Sequence, residues 1–511
     1  MSKKAGNNSI FLFRRDFRLD DNRGLLRCVQ ETQKRDGKIM PLFIYNEEQI
    51  KPDNNPYFSD TAVQFMVESL HDLEEQLKKH SKNISSSETK LCKLKVKKAS
   101  DEAELFALLK KHAGISHVYT NQDLTPFARK RQTHLQNACR SLDVEFVPVE
   151  DYTLFKLDDK DTKTQEGTAY QVFSFLYAKR KRLHAKIPPV EILHGNEKVS
   201  WMQKSDYDKL KGVLKTFWMN EDESGLFKEN TKTREHFGKG GRKQALLKLL
   251  RLKDDKWEEY DTTRDDISNA DGTTRMSAYL KFGCLSIREF YFAVHQSYGI
   301  DHALIREMYF REFYYLITWF YPHVLQGMTG KKNMEFIEKY QGISWSTNNN
   351  EGWEKWKEGT TGTPMVDAAM RQLNHTGFMH NRGRMIVAQY LTKDLMMDWR
   401  WGEKYFASRL VDYDPAQNSA GWQWSASVGS DAAPYFRIFN PYTQMDRFDK
   451  DAAYIKRWVP ELKNVAPTDL IKWEKDSIRQ KYRNNTTYPD PIVKNHSKAA
   501  EHAKKHFEAY A

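Results

Sequence analysis

The residues best equipped for chemistry crowd into one stretch of this sequence. Between 345 and 445 stand Trp345, Trp353, Trp356, Trp399, Trp401, Trp422 and Trp424, interleaved with Arg382, Arg384, Arg437, Asp412 and Asp414. Indoles alone mean a core. Indoles among guanidinium and carboxylate groups point to a planar ligand in a deep pocket, or to stacking on unpaired bases. Indole is also the side chain most readily oxidised by one electron, so closely spaced tryptophans can relay charge. Other chemistries lack their minimal parts: no Ser/His/Asp elbow, His-Glu-x-x-His pair or P-loop occurs. His375 and His380 lie five apart without carboxylate or thiol company, so no metal site is expected. Cys28, Cys92, Cys139 and Cys284 are too scattered for a zinc site or a disulfide framework. GKGGRK (238–243) is glycine-rich and basic but lacks Walker spacing and a preceding strand, and reads as a flexible helix entry.

Elements that could position these groups fall into two kinds. SIFLF (9–13), IMPLFIY (39–45), KLKV (93–96), HVYT (117–120) and EFVPV (145–149) read as five strands. Between them, Val63, Met66, Leu70, Leu73 and Leu77 mark an amphipathic helix started by Ser59, Leu105, Leu108 and Leu109 mark another, and residues 126–141 a third. Strands alternating with helices predict a doubly wound parallel sheet, a Rossmann-like α/β domain over residues 8–150. The glycine-rich dinucleotide turn is missing after the first strand, where FLFRRDFRLDDNRG stands instead. NISSSETK (83–90) reads as a surface loop. Residues 151–230 have weak periodicity and a break at Pro188–Pro189, and read as a connector wrapping one domain onto the other. From about 243 to near the end the pattern is helical, with a Ser286/Glu289 capping box and a Thr363–Pro364 helix start. The expectation is an α/β domain, a connector and a large all-α domain over 231–511.

Length and composition agree. At about 150 residues per domain, 511 residues make two to four domains. The formal charge of +12 implies attraction to a polyanion, most often nucleic acid, without setting a sequence preference; an ordinary basic surface is the alternative. No run of 18 apolar residues occurs, and IFLF near the start is too brief for a signal segment, so a soluble, intracellular protein with no membrane partner is expected.

Four segments carry a resemblance. FLFRRDFRLDDNRGL, YDTTRDDISNADGTTRMSAYLKFGCLS, WKEGTTGTPMVDAAMRQLNHTGFMHNRGRMI and GWQWSASVGSDAAPYFRIFNPYTQ resemble the photolyase/cryptochrome flavoprotein family, and the likeness runs from residue 10 to YPDPIV (488–493). The resemblance implies an N-terminal antenna domain and a helical domain holding folded FAD. A second antenna pigment (folate, deazaflavin or flavin) in the N-terminal domain stays open. By the same resemblance, Tyr260, Thr273, Thr274, Arg275, Met276 and Ser277 belong to the FAD-phosphate stretch, and Arg311 to the phosphate side. Asp412, Tyr413 and Asp414 fall on the flavin contact run, with Arg384 as the ion partner of Asp412. Asn418 falls on the position facing flavin N5, where an amide favours repair over plant-type signalling.

Branch follows from three positions. Glu307 matches the carboxyl that donates to the thymine carbonyl in enzymes repairing cyclobutane pyrimidine dimers; apolar burial would raise its pKa in the direction donation needs. Met385 stands where a (6-4) enzyme carries an acid–base histidine, and a thioether transfers no proton. The GWQWSAS segment places Trp424 as an aromatic wall against a flipped lesion. Phe310 departs from the indole expected beside it, and Tyr-Asp-Pro at 413–415 resembles the DASH branch. Arg264, Asn381, Arg382, Arg437 and Gln444 match DNA or lesion contacts, with Lys281 nearby, and Trp422, Trp399 and Trp345 match the electron relay. The implied activity is light-driven splitting of cyclobutane pyrimidine dimers in UV-damaged DNA by a monomer. A signalling cryptochrome, disfavoured by the short tail after YPDPIV, and a single-strand-preferring DASH protein are the alternatives.

Overall fold

The computed structural model describes residues 6–84, 88–193, 199–219, 223–329, 334–346 and 350–510; Ser85–Ser87 of the serine-rich loop lie outside them. Five strands, β1 (Asn8–Phe13), β2 (Ile39–Asn46), β3 (Cys92–Val96), β4 (Ile115–Asn121) and β5 (Glu145–Val149), form one parallel sheet in the order β3-β2-β1-β4-β5. β2 is buried at every residue, which is why its sequence is a continuous apolar run and not an alternation. Four helices connect the strands: α1 (Arg23–Gln33), α2 (Asp60–Ile84), α3 (Glu102–Ala113) and α4 (Pro126–Ser141). Ser59 Oγ accepts from Ala62 N at 3.3 Å and starts α2. Thr125 Oγ1 accepts from Ala128 N at 3.3 Å and starts α4, with Pro126 in its first turn, where a missing N–H costs nothing.

The segment after β5 touches both layers. Trp201 bridges to Ile39 and Trp218 to Leu94, so its second half lies along β2 and β3. Its first half meets the helical region: Leu154 N donates to Glu312 at 2.9 Å, and α5 (Phe173–Ala178) places the Phe173 ring on Phe310. GKGGRK does open a helix at Arg242, but its glycines serve close packing, not flexibility. A Cβ on Gly240 would lie 2.4 Å from the Phe65 carbonyl oxygen of α2, and Gly240 N donates to Glu68 at 2.7 Å.

Beyond it, the chain is helical. α6 (Ile287–Tyr298) starts at the Ser286/Glu289 capping box and is followed by α7 (Ala303–Phe320) and α8 (Pro364–Thr376). Thr363 precedes α8, but its hydroxyl donates to Tyr390; Asp367 instead accepts from the Thr361 and Gly362 amides at 2.8 and 2.9 Å. α9 (Asn381–Gln389), α10 (Trp399–Ala407), α11 (Pro415–Ser425), α12 (Pro441–Phe448) and α13 (His496–Glu508) complete the part needed for the site. No helix of the described residues is long and apolar enough to cross a membrane.

Buried ion pairs lock the sheet to the helices. Arg288 on α6 reaches Asp21 at 3.0 Å and Asp151 at 2.7 Å, and Arg18 reaches Asp151 at 2.6 Å, all four side chains essentially without exposure. Burial alone would raise the Asp151 carboxyl, but Arg18 and then Arg288 outweigh it and hold it at about 2. Such charges persist in an interior only when paired, and removing one partner costs about 3–5 kcal/mol. The RRDFRLDD stretch thus serves as the seam between layers.

Candidate functional site

Helices α7, α9, α10 and α11 and the loop before α6 surround a cavity of about 500 Å³. Its inner wall is ionic and polar. Arg384 of α9 donates from Nη2 to both carboxylate oxygens of Asp412, at 2.9 and 3.1 Å, and from Nε to the Met379 carbonyl at 2.8 Å. Asp414 has two tasks. Its Oδ1 accepts from Ala416 N at 3.1 Å and Gln417 N at 3.3 Å, capping α11, while Oδ2 accepts from Tyr315 at 2.6 Å and from Arg15 of the sheet layer at 2.9 Å. Burial would raise Asp414, but Arg15 and Lys281 outweigh it and keep it below the ordinary carboxylate value. Both of its oxygens are thus used by the protein, and Asp414 lines the cavity while fixing the start of α11.

Asn418, one turn into α11, is oriented from behind. Its amide nitrogen donates to the backbone oxygen and to Oε1 of Glu403 on α10, both at 3.0 Å. That leaves the amide oxygen for the cavity, which Asn418 lines. Burial pushes Glu403 up to about 7, against hydrogen bonds from Asn418 and Tyr413 that lower it. Glu403 escapes a reading of motifs because nothing local in the sequence ties it to Asn418.

Trp422 lies one turn further along α11, and Gly402 of α10 explains its position: a Cβ there would fall 2.0 Å from the indole Cη2, so only glycine lets the two helices meet over this ring. Trp399 is fully buried and donates its indole N–H to Glu335 at 3.2 Å; Trp345 is half-buried with its ring 6.0 Å from Phe507. The direct ring neighbours of Trp422 are Phe406 at 5.0 Å and Trp356 at 6.0 Å, and Trp356 stacks on Trp353 at 5.4 Å. Among the described residues, Trp399 has no ring contact with Trp422 or Trp345.

The outer part of the cavity is lined by Arg264, Glu307, Phe310, Asn381, Met385 and Trp424. Glu307 and Phe310 share one face of α7, Asn381 and Met385 one face of α9, each three or four residues apart. Phe310 is not free on both faces: Phe173 stacks on it with ring centroids 3.5 Å apart and planes 9° from parallel. Glu307 pairs with Arg264, and Arg382 makes a two-pronged pair with Asp265, both bonds at 2.8 Å. Burial pushes Glu307 above the ordinary carboxylate value, with Arg264 the first of several cations opposing it. The surroundings are thus aromatic and charged.

The expected phosphate stretch is only partly at the cavity. Tyr260 and Thr273 line it, whereas Thr274, Arg275, Met276 and Ser277 follow directly in the chain and are not among its lining residues. Arg275 takes a left-handed backbone, φ 49°, and its buried Nε has no partner. Arg311 lines the cavity while donating to Glu312 and the Tyr152 carbonyl. Arg437 is exposed and Gln444 half-buried, both outside the cavity lining. Lys281 is not on that face at all. It lines a second cavity of about 220 Å³ between sheet and helices, with Arg14, Tyr57, Phe127 and Arg131, and Tyr413 walls both cavities.

The donor set fits FAD. A concave, mainly apolar cavity of this size with a few convergent polar groups is what a cofactor needs. Arg264 keeps a buried, unpartnered Nε, Gly421 leaves open space on the α11 wall, and Asn418 offers an oriented amide.

Residues 9–192 match the DNA photolyase family, and residues 304–509 match the FAD binding domain of DNA photolyase. A deoxyribodipyrimidine photo-lyase of Alkalihalophilus pseudofirmus is 33% identical over 511 residues, 97% of either chain. The archaeal photolyase of Sulfolobus tokodaii, whose crystal structure contains two FAD molecules, is 33% identical with a TM-score of 0.74, over 98% of this chain and 100% of that one. The class III photolyase of Agrobacterium tumefaciens is 27% identical with a TM-score of 0.81, over 100% and 98%.

Proposed function

The chain belongs to the DNA photolyase family, and from that premise we propose that it is a light-driven repair lyase that splits cyclobutane pyrimidine dimers in UV-damaged DNA. The observation that carries this reading is a single cavity with Asn418, Arg384 and Asp412 on its inner wall and Glu307, Asn381, Met385 and Trp424 toward its outside. FAD, when bound there in its reduced form, would supply light-driven electron donation to the dimer.

Everything else falls to the protein. Trp424 and Phe310 present ring faces to an extruded dimer, which stacks and pairs poorly and so costs less to flip than an intact pair. Met385 leaves that face without a proton donor for (6-4) chemistry. Glu307, once protonated, donates to the thymine carbonyl and stabilises the charge that develops on the base. Asn418, held by Glu403, would present a fixed amide to the flavin. The Arg384–Asp412 pair would give it a charge-balanced neighbour, and Arg275, with Thr273, Thr274, Ser277, Tyr260 and the Met276 backbone, would hold the phosphates. Trp422 would relay electrons toward an oxidised cofactor, with Trp399 and Trp345 beyond it.

We assign residues 8–150 to the antenna domain, 151–230 to the connector and 231–511 to the FAD domain. The second cavity, with Arg14, Arg131 and Lys281 beside Tyr57 and Tyr413, suits a planar anionic light-harvesting pigment. Arg382 and the exposed Arg437, with Gln444, would meet the DNA backbone.

The test is incubation of the purified holoprotein with dimer-containing duplex DNA in light and in darkness. Light-dependent recovery of intact thymines is expected, and its absence overturns the reading.

A further inference from the structure

Four charged side chains at the outer cavity pair crosswise. Arg264 and Asp265 are consecutive in sequence; Arg264 is tied to Glu307 on α7, and Asp265 to Arg382 on α9. Two cations and two anions make the patch neutral as it stands. One of its bonds is incomplete, since Arg264 Nε is buried without a partner while the same guanidinium holds Glu307. Glu307 is held from the Nη1 side, whereas the unused Nε–H belongs to the other edge of the guanidinium, and a two-donor edge of that kind matches phosphate oxygens better than a single carboxylate contact.

We propose that Arg264 is a positioning residue acting through Glu307: it holds Glu307 as a carboxylate in the free protein, and a backbone phosphate of the damaged strand takes the guanidinium away, so that Glu307 binds a proton from solvent. The step is a proton transfer alone. An O–H bond forms on the Glu307 carboxylate, the buffer acid or water that supplies the proton is left as its conjugate base, and no electron moves. It rests on the reading above that this cavity receives a dimer in DNA.

The groups facing Glu307 make the sign unambiguous. Arg306 and Tyr314 lie on its own helix, Tyr260 and Arg264 come from the loop side, and Arg382 from α9 stays bound to Asp265. His380, at the start of α9, is held down at about 4 by burial and then Arg384 and Arg382. Burial already raises Glu307 and Arg264 leads the opposing charges. Withdrawing Arg264 and adding a phosphate's negative charge both shift Glu307 toward its acid form. The donor the reaction needs is thereby made only when DNA is in place.

Calorimetric titration of the holoprotein, in the dark, with dimer-containing duplex tests this in buffers of different ionisation heat, from about pH 5 to about pH 8. Wild type should take up a substantial fraction of a proton per lesion bound. Glu307→Gln should bind and lose that uptake, the difference cancelling contributions from His380 and other groups. Arg264→Gln, measured at saturating DNA, should take up less than wild type because the first cation opposing protonation of Glu307 is already gone, and Arg264→Lys should restore part. An infrared carboxylic-acid band should appear on DNA binding in wild type and not in Glu307→Gln. Binding without proton uptake, or uptake unchanged in Glu307→Gln or in Arg264→Gln, overturns the gate and leaves the repair reading standing. Loss of preference for dimer-containing over undamaged DNA in wild type overturns the repair reading itself.

Discussion

Asn418 is held by Glu403: one amide nitrogen donates to both the backbone oxygen and the side-chain Oε1 of the same residue, each at 3.0 Å. The N–H side of the amide is thereby spent inside the protein and its oxygen is turned to the cavity. Glu403 sits at about 7, so its protonation state changes in the neutral range.

A group whose folded-state pKa is raised from about 4.5 to about 7 binds its proton more tightly in the native state. Stability is then greatest below the unfolded value and falls as pH rises through the folded one, by about 3 kcal/mol in all. Denaturant midpoints taken at about pH 5 and about pH 8 should drop more for wild type than for Glu403→Gln, the difference isolating Glu403 from Asp16 and Asp449, both also raised to about 6. Equal drops would remove Glu403 as a titrating group.

Asp412 is almost fully buried against Arg384. Asp412→Asn keeps its shape and removes one charge, leaving Arg384 uncompensated, a loss of about 3 kcal/mol or more. Purified Asp412→Asn should retain FAD poorly, its dissociation constant rising at least ~10-fold by fluorescence titration of released flavin. Unchanged retention would mean the pair lies outside the cofactor's reach.

Trp424→Ala should weaken binding of dimer-containing DNA by about 10- to 100-fold, the value of one stacked base, and leave undamaged DNA nearly unaffected. Phe310→Trp should not strengthen binding, although indole offers more area, because Phe173 already covers one face at 3.5 Å and a larger ring must displace it, at about 1–3 kcal/mol. Phe310→Trp with Phe173→Leu should recover the loss. Electrophoretic competition between damaged and undamaged duplex measures all three.

Trp422→Phe should slow photoreduction of oxidised FAD by at least ~10-fold while sparing repair by pre-reduced protein, since side-chain redox steps and lesion binding are separate functions. Trp399→Phe should slow it as well. If Trp399→Phe leaves the rate unchanged and Trp356→Phe lowers it, the electrons travel through the stacked Trp356–Trp353 pair that adjoins Trp422.

The strands and the helix over 126–141 were legible because each carries its own local instruction. β2 is buried on both faces and so reads as one apolar run, and Thr125–Pro126 announces α4 in two residues. The stretch 151–230 carries none: Leu154, Phe173, Leu183 and Trp201 are buried against different neighbours, and burial of that kind has no period. The site divides the same way. Residues within contiguous motifs, such as Asn381, Arg384, Met385, Asn418 and Trp422, come to the cavity because neighbouring turns of α9 and α11 bring them there. Glu403, Asp265 and Phe173 act only through partners on other elements, a relation made by folding and invisible along the chain. Lys281 sits in a motif too, yet its helix turns it toward the second cavity.

Arg15 and Asp414 are 399 positions apart, yet their 2.9 Å contact joins the end of the first strand to the start of the helix that carries Asn418 and Trp422. The cradle thus joins parts of the chain that lie far apart in sequence. The Arg15 contact cannot form until Asp414 has left the ribosome, and contacts of such long sequence separation form late and slowly. Cofactor loading is accordingly an event of the finished molecule, and a fragment lacking the first strand should leave the translation machinery colourless.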